Sequence, residues 1–360
     1  MTRRADLDID LELYEAEAER RRREAAGGKP DTGKQEGGIR SGLLGALRRA
    51  LSLPGLIAAP FILVLCYYLL GMAWMYDIND EIAFQPRQEI KGGSRAVDMA
   101  AALIAREINR TSWPANDPWF SPGYFLDNMA NFQRGTLYAV RIFTDQMRQS
   151  IGRERGSSVE DSALNNAWSR LSISPNRWLY NFGEGFTLIP QRSTESEYRQ
   201  AIELLRSYNK RVATGEALFQ ARPDNLIEVL RQVRNDLGAA SAAAQEKIEG
   251  RREEPVLDGR HGRPATDYEL YYRHKGICYG YYQLLSSLQL DFASVIEDRE
   301  ISELWASMID NLRQVGGMRH FMTLNAEPNA QMLPNHLANQ GFYILRARIQ
   351  VAEIMDILSK

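Results

Sequence analysis

Hydrophobic positions along this chain follow two different patterns. Residues 51–76 contain no charged side chain, and the stretch 54–76 is apolar on every side. A helix rising about 1.5 Å per residue covers roughly 35 Å over that length, against a bilayer hydrocarbon core of about 30 Å, so it predicts one membrane span. From Ser94 onward, apolar residues instead recur every three or four positions and period-two runs are scarce. That periodicity predicts an all-α fold, one transmembrane helix followed by a helical-bundle domain outside the cytoplasm.

The chain divides accordingly. Residues 1–38 form a charged cytoplasmic tail that turns from acidic to basic at Arg20 and holds almost no apolar side chain over 27–38, the composition of a disordered segment. Residues 39–53 place Ile39, Leu43, Leu44, Leu47 and Leu51 on one helical arc, an amphipathic juxtamembrane segment. Residues 54–76 span the membrane, 77–93 form a linker and 94–360 the helical domain. Pro54 and Pro60 fall within the span, where neighbouring groups can satisfy the freed backbone. Gly55 and Ala59 form a small pair that leaves self-association open.

Orientation follows from charge at the two ends. Lys34, Arg40 and the adjacent Arg48 and Arg49 precede the span, whereas Asp77, Asp80 and Glu81 follow it ahead of the next basic residue. The positive-inside rule therefore puts the N-terminus in the cytoplasm and the helical domain on the opposite side of the membrane, with Trp74 and Tyr76 in the outer aromatic belt. A cleaved signal peptide is the rival reading of Gly71-Met-Ala73, but a tail of about 50 residues ahead of the hydrophobic stretch is too long for one.

Inside the domain, Ser94 begins a helix over 94–108, and Ser157 with Glu160, Thr194 with Glu197 and Thr266 with Glu269 have capping-box spacing. The segment 111–123 carries three prolines and two tryptophans, which predicts an irregular loop packed on the domain. Two long stripes, Tyr198 to Val212 and Leu226 to Ile248, sit either side of a short Gly- and Pro-containing turn and predict a long antiparallel helical hairpin. Helices are also expected over 266–292, 298–314 and 335–358. The last is apolar on several faces and reads as buried between neighbours.

Lys and Arg number 44 against 46 Asp and Glu, a net charge of −2, so no basic footprint for nucleic acid exists. Cys66 lies in the span and Cys278 far from it, which excludes a disulfide framework in the domain. Four histidines lack metal-ligand spacing, and no cofactor fingerprint, phosphate loop or nucleophile elbow occurs.

Two candidate sites remain. Tyr268, Tyr271, Tyr272, Tyr279 and Tyr282, with Lys275 among them, share one helical arc; they form either an aromatic groove for a glycan or peptide, or the polar-edged face of a sandwiched helix. Glu184, between two glycines and among aromatics, is a weak catalytic candidate, a general acid for cell-wall glycan that lacks an identifiable second carboxylate.

Residues 126–135, Leu-Asp-Asn-Met-Ala-Asn-Phe-Gln-Arg-Gly, preceded by Trp113-Pro-Ala-Asn-Asp117 and followed by Asp224-Asn-Leu226 and Leu237-Gly238, resemble a family of uncharacterised proteobacterial inner-membrane proteins known only as a domain of unknown function. The resemblance covers roughly residues 50–358. It implies an inner-membrane location and no activity, and it transfers no functional residue.

The expectation is a non-enzymatic envelope protein, needing no cofactor or metal, whose partners are the bilayer and another envelope protein. The alternatives are a peptidoglycan-acting or glycan-binding protein using Glu184 or the tyrosine stripe, and a periplasmic sensor coupled to the tail.

Overall fold

A computed structural model describes residues 20–21, 53–152, 160–181, 187, 189–249, 265–319 and 335–360. The predicted tail apart from residues 20–21, most of the juxtamembrane segment with Arg48 and Arg49, the turn-rich stretch 250–263, Ser157 and Glu184 all lie outside the described residues. Helix α1, Leu53–Met75, takes up the apolar stretch and carries Pro60 in its interior. Its part Ile57–Met75 is long and apolar enough to cross a membrane. Internal contacts divide the chain between Cys66 and Tyr67, so the last turns of α1 belong with the domain that follows.

Among its described residues that domain is built of helices joined by turns, with an isolated bridge between Asn181 and Thr187 and no strand. Ser94 caps α2, Arg95–Asn109, by accepting from the Val97 amide. After two short 3-10 turns comes α3, Asp127–Gln146, which closes in a π-helical turn, Met147–Ile151. Then follow α4 (Ser162–Leu171), α5 (Thr194–Thr214), α6 (Pro223–Ile248), α7 (Asp267–Asp291), α8 (Ala293–Asp298), α9 (Ser302–Gly316) and α10 (His336–Leu358). The Thr266 and Glu269 capping box forms as its spacing predicts. Elsewhere the caps shift: Asp161 caps α4, and Ser193 rather than Thr194 caps α5, because Thr194 turns its hydroxyl to the Ser174 and Arg177 carbonyls.

Helix α7 is the hub. It packs mainly on α3, α9 and α2 and also touches α6, α8 and α10. Apolar side chains therefore bury on all its sides, Leu270, Ile277, Cys278, Tyr281, Leu284 and Leu288 among them. Its crossing with α3 is close enough to exclude side chains. A Cβ on Gly276 would lie 2.1 Å from the Phe132 carbonyl oxygen, one on Gly135 2.2 Å from that of Arg273, and one on Gly280 2.8 Å from Ala139 Cβ. Gly276 with Gly280 and Gly135 with Ala139 are thus two small pairs, each spaced by one helical turn, that face each other.

The long hairpin is corrected. Helices α5 and α6 follow each other in sequence, but α5 packs on α2 and α4 while α6 packs on α10. Gly215, at φ +79°, ends α5, and the connection is then held elsewhere: Tyr208 Oη donates to the Leu218 carbonyl and the Gln220 amide to that of Ile151. The chain is steered away before α6 begins. The last helix also departs from expectation. Ile344, Val351 and Ile354 of α10 are buried, but Phe342, Leu345 and Ile349 stand exposed.

The α3–α7 crossing gives a direct test. Gly276→Val should destabilise the protein by about 3 kcal/mol or more, since backbone rather than a movable side chain opposes the new Cβ. Gly341→Ala in α10, where a Cβ meets only Ala244 Cβ at 3.8 Å, should be neutral or stabilise by about 0.5 kcal/mol. Denaturant unfolding of the full chain in detergent checks both.

Candidate functional site

The tyrosine arc of α7 does not line an open groove. Tyr271, Tyr272 and Tyr279 are buried and Tyr282 is half-buried; only Tyr268, in the first turn, is exposed. The face is covered by the chain's own residues 80–84. Tyr279 Oη donates to the Glu81 carbonyl at 2.7 Å and Tyr282 Oη to that of Ile82 at 3.4 Å. The Gln283 amide donates to both carbonyls at 3.2 Å. The face that the sequence offers as an aromatic groove is thus covered at Tyr279 and Tyr282 by the segment that follows α1. That segment joins α1 to α2 as expected, yet it is built into the fold, with Asp80 and Phe84 buried.

At the centre of this junction sits an ion pair. Lys275 Nζ donates to Asp80 Oδ2 at 2.6 Å, with both side chains nearly inaccessible. Arg319, itself exposed, reaches Asp80 Oδ1 through Nη2 at 2.5 Å and Nε at 3.1 Å. Tyr76, Asp77, Ile78 and Tyr272 complete an open cleft of about 490 Å³ around the three charges. Burial pushes the Asp80 carboxyl up, but the Arg319 and Lys275 charges outweigh it and hold the group below its ordinary value. Burial also pulls the Lys275 ammonium below its usual value, and the single carboxylate only partly offsets that, because Arg319 repels it. Both Asp80 oxygens are engaged by cations, so this carboxylate is an electrostatic tie and not a general acid.

A second buried pair adjoins it. Arg106 and Glu107 are fully enclosed in α2; the guanidinium donates to Glu107 through Nε at 2.8 Å and to Tyr279 Oη through Nη1 at 2.5 Å. It also stacks over the Phe84 and Tyr279 rings, 4.8 and 4.9 Å from their centroids. Tyr279 therefore serves both networks. Asp236 of α6, raised by burial, accepts from Tyr281, from Tyr138 at 3.0 Å and from Gln232 at 3.0 Å, which ties α6 to α3 and α7.

Of the residues singled out in the sequence, Tyr76, Tyr272 and Lys275 come together in the cleft, whereas Tyr268 does not reach it. Trp74 is 91% exposed and Pro60 is also exposed; Pro54 lies in α1. Cys278 is buried and its thiol is pushed up by burial, which makes it a packed core atom. Among the described residues no group of three or more His, Cys, Asp or Glu gathers around a common point. Asp80 and Arg106 escaped the sequence reading. The available signal for Asp80 was Lys275 itself, a cation within the tyrosine arc that needed a carboxylate from elsewhere.

A family model described as an uncharacterized protein conserved in bacteria, DUF2333, matches residues 85–360. The chain belongs to this family. The match begins just after Phe84, so it takes in the helical domain from α2 onward and leaves out α1 and Asp80. No curated protein and no solved structure matched the chain.

The Asp80 tie makes two linked predictions. Asp80→Asn strands a buried ammonium and should cost about 3–5 kcal/mol, whereas Lys275→Met, which leaves Asp80 with Arg319, should cost less. Because the folded Asp80 carboxyl sits below its unfolded value, its contribution is complete above the unfolded value and is lost as pH falls through the depressed one. Acid unfolding followed by circular dichroism should therefore show a shallower acid limb for Asp80→Asn than for the wild-type protein.

Proposed function

We propose that this DUF2333 protein is a single-pass protein of the bacterial inner membrane, with a cytoplasmic N-terminus, whose periplasmic helical domain acts without catalysis by binding another envelope protein. The observation that carries the reading is the open face of α10. Phe342, Leu345 and Ile349 lie at i, i+3 and i+7, so they form one continuous stripe, and each is at least 41% exposed while the opposite side of the same helix is in the core. An exposed row of large apolar residues at helical spacing is the form in which one helix offers itself to another protein. The buried junction at Asp80 supports the same reading, because it ties the segment that follows α1 to the domain that would hold the partner.

Photoreactive residues placed at 342, 345 and 349 in the full-length protein in living cells test this, with the exposed Glu203 of α5 as control. The expected result is one reproducible envelope-protein adduct from the stripe that is absent from position 203. The double change Phe342→Lys and Ile349→Lys should abolish that adduct while altering unfolding free energy by no more than about 0.5 kcal/mol, because both sites are exposed. Adducts only between copies of this chain, or none above the control, would overturn the reading.

A further inference from the structure

Residues 118–125 carry four large aromatics, Trp119 and Phe120 between Pro118 and Pro122, and Tyr124 and Phe125 after Pro122. Three of them are open to the surroundings: Trp119 is 66% exposed, Phe125 56% and Phe120 40%. The loop does not stand free, however. Tyr68 Oη of α1 donates to the Trp119 carbonyl at 3.0 Å, and Tyr67 Oη donates to that of Phe120 at 3.2 Å. The Tyr68 ring meets Phe125 edge-on at 5.4 Å, and Phe120 meets Trp178 at 5.8 Å. Gly71 provides the closest approach, since a Cβ there would fall 2.4 Å from Pro122, and Gly123 lies against Met75. The loop therefore runs beside α1 from Met75 back to Tyr67, about eight residues or roughly 12 Å of helix.

Depth follows from the same geometry. The first charge after α1 is Asp77, and Tyr67 precedes it by about ten residues, or roughly 15 Å. The headgroup zone of one leaflet is only about 5–8 Å thick, so the level of Tyr67 and Tyr68 falls among the acyl chains. Irregular backbone at such a depth must have its polar groups satisfied. Here Pro118 and Pro122 have no N–H, and the amides of Ser121, Tyr124 and Leu126 donate to the Pro118, Ser121 and Gly123 carbonyls at 2.8, 3.1 and 3.0 Å. The carbonyls of Trp119 and Phe120 are those taken by the two span tyrosines, whose own hydroxyls would otherwise be stranded in lipid.

We propose that residues 118–125 form a second membrane contact, an aromatic wedge inserted into the leaflet on the C-terminal side of α1, with lipid as the occupant of its exposed rings. The domain is then fixed to the bilayer at two points, by α1 and by this wedge. The proposal rests on α1 being a span, and the experiment separates the two.

In full-length protein carrying Cys66→Ala, reconstituted in phosphatidylglycerol and phosphatidylcholine vesicles, a nitroxide is attached in turn at Leu63→Cys in α1, Phe120→Cys in the loop and Glu353→Cys in α10; Cys278 is buried and stays unlabelled. Collision rates with oxygen, which favours lipid, and with a water-soluble nickel chelate are compared. Positions 63 and 120 should both favour oxygen, with the ratio reversed at 353. A nickel-accessible 120 beside a lipid-exposed 63 overturns the wedge and leaves the span intact. A position 120 shielded from both agents means that protein covers the loop, and this also overturns it. A nickel-accessible 63 removes the span and the wedge together.

Discussion

A lysine ammonium in the middle of a fully packed helix cannot stay there without a counter-charge, and Lys275 takes its own from Asp80, outside α7 altogether. Much of the domain's organisation depends on that requirement. To deliver Asp80, residues 77–84 have to lie along α7, and in doing so they bring the Glu81 and Ile82 carbonyls to Tyr279, Tyr282 and Gln283 and seat Phe84 against Arg106. Arg106 is enclosed in its turn, with Glu107 and Tyr279 as partners. One buried charge thus recruits a segment, and that segment completes the surroundings of a second. Networks of this kind contribute little net stability when intact but are costly to break, so they select one arrangement of the junction over others.

Much of the architecture was legible in the sequence, and the parts that were not have identifiable physical causes. The apolar stretch, the helical period and the caps at Ser94 and Thr266 are local signals, and each appears where its spacing puts it. The tyrosine arc was also read correctly as an arc. What it packs against is a tertiary fact, because a polar-edged aromatic face serves equally for a ligand or for a segment of the same chain. The hairpin failed for a similar reason: two long stripes in succession specify two helices but not that they pair, and Tyr208 and Gln220 hold the connecting turn on other partners. The facing pairs at Gly276 with Gly280 and Gly135 with Ala139 were visible as spacing, yet only their contact reveals a crossing at backbone distance.

Buried charge and exposed apolar surface are distributed differently over the domain. The domain's buried carboxylates are engaged: Asp80 by two cations, Glu107 by Arg106 and Asp236 by three donors. Large apolar groups, by contrast, are left open in two coherent sets, the stripe on α10 and the loop beside the last turns of α1. Surfaces of this kind interact with proteins and lipid, whereas the polar interior is occupied with holding the fold together. Buried charge thus ties the helices together, while the exposed aromatic and aliphatic groups gather on α10 and on the loop beside α1.

Residues 77–93 are held on the domain through Asp80, Phe84 and the Ile90 amide, and are not a free tether. Hydrogen exchange of the full-length protein in lipid nanodiscs, followed by mass spectrometry of peptides covering this stretch, measures it directly. Slow exchange at amides such as Asp80 and Ile90, which donate to Ile78 and to the Asp98 carboxylate, with protection lost in Asp80→Asn, is the result predicted. Exchange at the rate of an unstructured peptide in the wild-type protein would contradict it.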